Sequence, residues 1–486
     1  MKLCPITPQA GFTGAVSLSL VSPNPLPAGV SLSPSSVNVS GSSATQTLTI
    51  ATTTATPVGA HTLTLRGTSG AITREATLGL TVEPLRFIVN TPDDTVDSDL
   101  GDGRCRDSGG RCSLRAAVMQ SSALNIPVII EVPAGTYALS LAGDGDEGGD
   151  LDLKGSITLR GAGREDTILD GNGNDRVLEV HADKSATLQG LTVRNGSTDR
   201  GGGIFNNAGT LTLANVTLRG NSATGEGGGI YNAGGLTLTN VILSGNSATN
   251  QGGGIANNAT LTLTNVTLSN NSAGYGGGIL NFSSGNLTLT NVTLRDNRAT
   301  DEGGGIYNTG TATLTNATLS GNKTTALGTG EGGGIWTGGS GTLRLVFSTL
   351  TGNSALRGGG IRITGGTTNL KGVILSGNNA INPTNGPECQ GSLTSQGFNL
   401  IWSTAGCSFT SDPAGTDIVD QSADLAPLAN NGGAVQTHLP NPGSPALDKV
   451  PAASCTDLGN NPVATDARGV ARPQGSDCDI GAVERN

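Results

Sequence analysis

The chain is poor in the residues that build globular cores and nucleic-acid interfaces. Aromatic residues make up 3% of its 486 positions and charged residues 13%, whereas glycine occurs 77 times, all far from globular averages. With a net charge of −10 and no cluster of Lys and Arg, the chain is not expected to bind nucleic acid, because phosphate recognition needs grouped cations. No apolar run approaches the length of a membrane-spanning helix, so we expect no membrane insertion.

A sevenfold repeat organises residues 201–380. Each copy opens with Gly-Gly-Gly-Ile, and successive copies begin 24 to 29 residues apart, a period typical of stacked supersecondary units. Inside a copy, as in Leu236-Thr-Leu-Thr-Asn240, apolar residues alternate with Thr, and Gly or Asn follows every few positions. This pattern predicts three short strands per copy and disfavours helical repeats. The copies begin at Gly201, Gly227, Gly252, Gly276, Gly303, Gly332 and Gly358.

Three strands per copy, each paired with its equivalent in the next, predict an all-β protein with a right-handed parallel β-helix. At about 25 residues per rung, residues 126–430 form about 12 rungs, with equivalent positions about 4.8 Å apart. We expect two structural columns of asparagine, in which the side-chain amides bond along the stack. The columns are Asn215, Asn240, Asn265, Asn291 and Asn316, and Asn221, Asn246, Asn271, Asn297, Asn322, Asn353 and Asn378.

The repeated words Gly-Gly-Gly-Ile-x-Asn and Gly-Asn-Ser-Ala resemble the repeats of polymorphic outer-membrane proteins. They are also similar to those of bacterial surface β-helices with the pectate-lyase-like architecture. The resemblance implies the fold across residues 201–380. It says little about function, because this architecture carries lyases, hydrolases, adhesins and inert stalks alike.

Residues 1–84 are rich in Ser, Thr, Val and Leu, and turn signals separate their strand-like runs, which predicts a small β-sandwich. Gly11-Phe-Thr-Gly-Ala-Val-Ser-Leu and Val58-Gly-Ala-His-Thr-Leu-Thr-Leu resemble immunoglobulin-like modules of bacterial secreted proteins. In that family the strand before Gly11 is longer, so we expect an incomplete module and a truncated start that hides any signal peptide. The resemblance implies an extracellular or cell-surface location.

Residues 85–430 are predicted to form the β-helix domain, with an N-terminal cap at 85–125. Cys112-Ser-Leu-Arg-Ala-Ala117 resembles the module named for its Cys-Ser-Leu-Arg-Glu-Ala motif at the start of surface β-helices. Ser113 would cap a helix that covers the open first rung. The family's Glu is Ala116 here, which removes the reciprocal half of the capping box.

Two acidic loops leave a calcium site open, since clustered carboxylates are calcium ligands. One holds Asp93, Asp94, Asp97, Asp99 and Asp102, and the other spans residues 143–150. Neither follows a defined calcium-loop spacing, and solvated acidic loops are common. No other cofactor and no metal ligand is predicted.

The motif Leu428-Ala-Asn-Asn-Gly-Gly overlaps the start of residues 431–486, and Cys478-Asp-Ile-Gly-Ala-Val-Glu484 lies near their end. They resemble the choice-of-anchor Q domain, which implies a C-terminal cap and surface attachment. Cysteines that lie close in sequence, in an extracellular-looking chain, predict three local disulfides. The pairs are Cys105 with Cys112, Cys389 with Cys407, and Cys455 with Cys478, which leaves Cys4 over.

No catalytic residue is assigned. Asp301 or Glu302 with Glu331 satisfies the carboxyl spacing of an inverting glycosidase on neighbouring rungs, and this keeps a polysaccharide lyase or glycoside hydrolase as the alternative function. His181 and His438 look isolated, without a nucleophile motif. A third alternative is ice binding through stacked Thr-x-Thr words at Thr237, Thr262, Thr288 and Thr313, although Thr is also the ordinary outward residue of a strand.

The residue after each Gly-Gly-Gly-Ile is predicted to point outward. Four of the seven are aromatic: Phe205, Tyr231, Tyr307 and Trp336. Rings in a row stack on sugar faces, and an exposed apolar stripe marks a contact surface. The leading prediction is therefore a structural or adhesive surface protein whose aromatic strip binds a glycan or another surface partner. The alternative is that loops or the first module cover the strip and make it a satellite core.

Overall fold

The computed structural model describes residues 2–6, 12–23, 25–40, 44–53, 55–143, 145–326, 328–410, 412 and 414–485. The chain divides into two compact units. Met1–Arg86 with Ile126–Val128 forms the first unit, and Phe87–Asn125 with Ile129–Asn486 forms the second. No helix among the described residues is long and apolar enough to cross a membrane.

The first unit contains two antiparallel sheets around one core. A four-stranded sheet has the order β4-β2-β6-β7, and a three-stranded sheet the order β1-β5-β3. Leu18, Leu63 and Leu78 of the larger sheet share a core with Leu48 of the smaller one, in agreement with the predicted small sandwich. The strands are β1 (Lys2–Ile6), β2 (Thr13–Ser22), β3 (Ser31–Ser33), β4 (Ser36–Ser40), β5 (Ala44–Ala51), β6 (Gly59–Ser69) and β7 (Ile72–Val82).

The helix α1 (Leu114–Leu124) covers the start of the solenoid, where it packs on β11 and β12. The hydroxyl of Ser113 accepts the backbone N–H of Ala116 at 3.0 Å, as predicted for the cap. Its buried Arg115 pairs with Asp94 at 2.7 Å. Before the repeats lie β8 (Leu85–Ile88), β9 (Val128–Val132), β10 (Gly135–Ala138), β11 (Leu151–Leu153), β12 (Ser156–Gly161), β13 (Thr167–Asp170), β14 (Leu178–Val180), β15 (Ser185–Gln189), β16 (Thr192–Arg194) and β17 (Ser197–Arg200).

The repeats, together with the strands before and after them, form a parallel β-solenoid of about 11 rungs, close to the 12 predicted. Their strands are β18 (Ile204–Asn206), β19 (Thr210–Ala214), β20 (Thr217–Arg219), β21 (Ser222–Glu226), β22 (Ile230–Asn232), β23 (Gly235–Thr239), β24 (Ile242–Ser244), β25 (Ser247–Ala248), β26 (Ile255–Asn257), β27 (Thr260–Thr264), β28 (Thr267–Ser269), β29 (Ser272–Tyr275), β30 (Ile279–Asn281), β31 (Asn286–Thr290), β32 (Thr293–Arg295), β33 (Arg298–Glu302), β34 (Ile306–Asn308), β35 (Thr311–Thr315), β36 (Thr318–Ser320), β37 (Lys323–Thr324), β38 (Ile335–Thr337), β39 (Thr342–Val346), β40 (Thr349–Thr351), β41 (Ser354–Ala355), β42 (Ile361–Ile363), β43 (Thr367–Lys371), β44 (Ile374–Leu375) and β45 (Asn379–Ala380).

Each repeat contains four strands, so the prediction of three was wrong by one short strand. The extra strands, β17 through β45 at every fourth position, form an eight-stranded sheet of their own. From β21 onward each of them directly follows a buried Asn, as β25 (Ser247–Ala248) follows Asn246. Only one residue of such a strand, for example Ala248, points into the core. A single inward residue gives no period-two pattern for sequence reading to detect.

Apolar and asparagine side chains fill the interior in register. Ile204, Leu211 and Leu213 are fully buried, and their equivalents in later rungs repeat this. The ladder from Asn221 to Asn378 is confirmed: each amide donates to the next at 2.8 to 3.0 Å. The other predicted column has a left-handed backbone, as at Asn265 (φ 57°). Among the described residues, bonds along this column join only Asn316 to Asn291 and Asn291 to Asn265.

After the repeats come the 3-10 turns η1 (Pro383–Asn385) and η2 (Ala452–Ser454) and the strands β46 (Cys389–Ser395), β47 (Leu400–Ile401), β48 (Cys407–Thr410) and β49 (Ile418–Val419). The final segment runs back along the flank of the solenoid, because Thr293 donates to the carbonyl of Gln436 and Asn316 to that of Thr465. It therefore covers the side of several rungs.

The three predicted disulfides are present. Cys105 bonds Cys112, Cys389 bonds Cys407, and Cys455 bonds Cys478. The side chain of Cys4 lies outside the described part of the chain. In the first acidic loop, Asp97 accepts backbone N–H groups and Asp93 pairs with Arg111, and Asp144 of the second loop lies outside the described residues.

Candidate binding face along the outer side of the solenoid

In ten successive rungs, the middle residue of one equivalent strand faces outward, and these ten residues form a column that we call the outer column. The middle residue of each Ile-x-Asn strand belongs to it, because the Ile before and the Asn after it point into the core. Parallel pairing in register aligns the members of neighbouring rungs. The outer column is Asp152, Glu179, Phe205, Tyr231, Ala256, Leu280, Tyr307, Trp336, Arg362 and Gln390.

The four predicted aromatic residues of the outer column meet in two pairs. Phe205 and Tyr231 pack edge to face with ring centroids 5.4 Å apart. Tyr307 and Trp336 stack in parallel at 4.3 Å. Tyr275, which sequence reasoning missed, packs edge to face on Tyr307 at 5.6 Å. Tyr275 directly precedes the Gly triplet of one rung, and its ring contacts Tyr307 of the next rung.

Exposure varies along the outer column. Tyr231 and Trp336 are each 8% exposed, whereas Phe205 and Tyr307 are half-buried. Between the two aromatic pairs, Ala256 and Leu280 are fully covered. The column therefore presents two separate aromatic patches instead of one continuous strip.

A second line of side chains runs beside the first and supplies charge. It consists of the residue before each Gly triplet, and we call it the flanking column. Glu331 in this column is held by two arginines, Arg357 at 3.0 Å and Arg362 at 3.0 Å. The flanking column is Arg200, Glu226, Gln251, Tyr275, Glu302, Glu331 and Arg357.

The two neighbouring glutamates of the flanking column have pKa values shifted in opposite directions. Burial, together with the charges of Glu331 and Asp301, raises the pKa of the Glu302 carboxyl. Burial also opposes ionisation of Glu331, yet hydrogen bonds from Arg357 and Arg362 outweigh it and hold the pKa of Glu331 below its ordinary value. Burial, with smaller contributions from Glu302 and Tyr275, raises the pKa of Tyr307 to about 12, so its phenol stays protonated at neutral pH.

The head of the outer column brings two carboxylates to a histidine. His181 Nε2 lies 2.7 Å from Asp152 Oδ1 and 3.9 Å from Glu179 Oε1. The expectation that His181 is isolated was therefore wrong, because parallel pairing places it next to a residue 29 positions earlier. The sequence signal for this group is the repeat length. Counting back one repeat from Phe205 leads to Glu179, and counting back another leads to Asp152.

His438, the other histidine expected to be isolated, is also bonded. It lies in the returning C-terminal segment, where Ser320 Oγ is 2.9 Å from Nε2 and the Ala426 carbonyl 2.7 Å from Nδ1. Burial lowers its pKa, with the bond to Ala426 opposing the shift. The contact with Ser320 fastens the segment to the solenoid, whereas the bond to Ala426 lies within the segment.

Comparison with known proteins gives one match, to the repeat itself. Residues 215–233 and 291–309 match the Chlamydia polymorphic membrane protein (Chlamydia_PMP) repeat. No curated protein and no solved structure matches the chain. Both matched segments run from the corner asparagine, Asn215 or Asn291, through the following Gly triplet and its outer-column residue. In these two stretches the chain is similar to that repeat.

Proposed function

We propose that this protein is a surface-exposed β-helical rod that binds glycans through the aromatic part of its outer column. The observation that carries the proposal is the stacked pair Tyr307 and Trp336 with Tyr275 against it. Three of the four tyrosines in an aromatic-poor chain, at positions 231, 275 and 307, lie on this one face. Aromatic rings next to polar groups are suited to sugars, whose C–H faces pack on rings and whose hydroxyls need hydrogen-bond partners.

The polar partners stand beside the rings. Glu302 and Glu331 follow Tyr275 in the flanking column, and Arg362 follows Trp336 in the outer column. The indole N–H of Trp336 is buried and has no acceptor among the described residues.

Surface location is supported by two features. The matched repeat belongs to a family described as a polymorphic membrane protein, and three disulfides suit an oxidising compartment. Within this proposal, the first unit is an immunoglobulin-like spacer. Residues 112–117 belong to a cap of the Cys-Ser-Leu-Arg-Glu-Ala type, and residues 431–486 form a choice-of-anchor region.

Binding to an array of neutral and acidic polysaccharides tests the proposal. Trp336→Ala and Tyr307→Ala are expected to remove binding. The matched control is Trp402→Ala, because Trp402 is 47% exposed and does not belong to the outer column. If the wild type binds no polysaccharide, or if Trp402→Ala weakens binding as much as Trp336→Ala, the aromatic patch is not the site.

A glycoside hydrolase is the second candidate, favoured by the opposite pKa shifts of Glu302 and Glu331. Such a pair supplies a protonated acid and an ionised base at one pH. Incubation with polysaccharides, followed by measurement of new reducing ends, tests this candidate. Glu302→Gln and Glu331→Gln are expected to abolish turnover, whereas Glu226→Gln in the same column is expected to preserve it. Absence of turnover in the wild type, or full activity in Glu302→Gln, eliminates the hydrolase.

A further inference from the structure

We propose that Asp152, Glu179 and His181 bind one divalent transition metal ion of the zinc class at the head of the outer column. The three donor atoms, Asp152 Oδ1, Glu179 Oε1 and His181 Nε2, all lie within 4.8 Å of one another. Among the described residues, no other group of three His, Cys, Asp or Glu side chains converges in this way. The site is independent of the proposed glycan binding.

The separations of the donor atoms suit a small ion. A tetrahedral zinc ion about 2.1 Å from each ligand holds the ligand atoms about 3.4 Å apart. The two measured separations from His181 Nε2, 2.7 Å to Asp152 and 3.9 Å to Glu179, lie on either side of that value. Side-chain shifts of about 0.7 Å for Asp152 and about 0.5 Å for Glu179, relative to His181 Nε2, bring both separations to that value.

The sheet and neighbouring cations orient the ligands. Asp152 of β11 pairs in register with Glu179 of β14, and His181 follows directly after β14. Lys154 Nζ bonds the second carboxylate oxygen of Asp152 at 3.0 Å, and Arg176 bonds the second oxygen of Glu179 at 2.8 Å. Each carboxylate is thus held by its far oxygen. The near oxygen of Asp152 lies 2.7 Å from His181 Nε2, whereas the near oxygen of Glu179 accepts from Asn207 Nδ2 at 3.1 Å and lies 3.9 Å from His181 Nε2. Outer-shell bonds of this kind fix ligand direction in metal sites.

The charge around the site leaves room for a divalent cation. The ion-pair network contains four carboxylates, those of Asp146, Asp150, Asp152 and Glu179, against two cations, Lys154 and Arg176. With a neutral imidazole the network carries two excess negative charges. The histidine nitrogen selects zinc, cobalt or nickel over calcium and magnesium, which prefer oxygen ligands. The side chain of His181 is 32% exposed, so an ion can enter and keep an open fourth position.

Calorimetric titration of the full chain with ZnCl₂, after chelator treatment, tests the site. We expect one equivalent of zinc to bind, and His181→Ala or Asp152→Asn to weaken binding at least tenfold. The matched control is His61→Ala, because His61 is a histidine of the first unit that bonds the Pro57 carbonyl. Cobalt(II) gives a second readout, since an absorption spectrum of tetrahedral Co²⁺ is expected in the wild type and in His61→Ala only.

His181→Asn separates ligand loss from misfolding, because it retains a polar side chain that donates to Asp152. Each variant is compared with the wild type by its melting temperature in chelator. A wild type that binds no stoichiometric zinc overturns the proposal. The proposal is also overturned if His181→Ala and His181→Asn bind zinc with the same affinity as the wild type. Zinc binding lost in both His181 variants, with chelator melting temperatures equal to that of the wild type, supports it.

Discussion

Replacing Asn271 by Asp tests how much one asparagine of the buried ladder stabilises the solenoid. The Asn271 amide group donates to the Leu243 carbonyl and to Asn297 Oδ1, each at 3.0 Å. Its oxygen accepts from the backbone and the side-chain amide of Asn246. Asp has the same shape and keeps the accepting oxygen, but it loses both donors. The change therefore leaves no cavity and affects hydrogen bonding and charge alone.

The expected cost is large because the site is fully buried. The Leu243 carbonyl and Asn297 Oδ1 each lose a side-chain donor, although Asn297 Oδ1 keeps the backbone N–H of Asn271. A buried group left without a partner costs about 1–3 kcal/mol. The new carboxylate is also desolvated, so its pKa should rise and it should protonate in the folded state. We expect Asn271→Asp to lose about 3–6 kcal/mol at pH 8. We expect a smaller loss at pH 5, because a raised folded-state pKa removes stability as the pH increases.

Asn265→Asp is the matched control, since it lies six positions earlier in the same rung. Asn265 is half-buried and accepts from Asn291 at 3.3 Å, a bond that Asp also accepts. Asp tolerates its left-handed backbone, so we expect a loss under about 1 kcal/mol, the ordinary range for a site with little burial. Denaturant unfolding at pH 5 and pH 8 measures both variants. Equal losses, or no pH dependence for Asn271→Asp, would refute the role assigned to the buried ladder.

Three further predictions concern the end of the chain. The buried carboxylate of Glu388 accepts from Asn378, the last asparagine of the buried ladder, and burial raises the pKa of Glu388 to about 7. Stability should therefore fall by about 3 kcal/mol as the pH rises from about 4.5 to 7, and Glu388→Gln should remove this slope from thermal melts taken across that range. Arg472→Ala should cost about 3–5 kcal/mol in denaturant unfolding, because it leaves the buried carboxylate of Glu484 unpaired; a loss below 1 kcal/mol contradicts this. Reducing Cys389–Cys407 should cost about 3 kcal/mol for its 18-residue loop, and unchanged melting in reductant argues otherwise.

The repeated part of the chain was predictable because each position occurs seven times. Alternation of Leu and Thr placed Leu211 and Leu213 inside, and the repeated Asn of the Gly-Asn-Ser words indicated the buried ladder. Local chemistry was equally readable: Ser113 caps its helix, and cysteines close in sequence pair. In all these cases the interaction joins neighbours in sequence or equivalent positions of adjacent copies.

The group around His181 and the return of the C-terminal segment were not predicted, because their contacts lie outside the repeat pattern. His181 contacts Asp152 in rungs that lack the Gly triplet. The sequence therefore does not show which residues of these rungs are equivalent until the register is counted back from Phe205. The bonds from Thr293 to Gln436 and from Asn316 to Thr465 join positions more than 140 residues apart. Nothing local in either segment indicates such a return, because the contacts are single hydrogen bonds without a periodic pattern.

The outer column differs from the buried positions on either side of it in how strictly folding determines its side chains. In Ile204-Phe205-Asn206 the first and last residues are fully buried and hold the rung, whereas Phe205 faces outward and is half-buried. Since each rung of a solenoid contacts mainly its neighbours, an outward position can hold any residue that suits the adjacent rung. Ala256 is sufficient for folding at this position. Trp336 stacks on Tyr307 and is 8% exposed, so its ring also packs against the solenoid, and it is the size of this ring compared with Ala256 that the proposed glycan binding would account for.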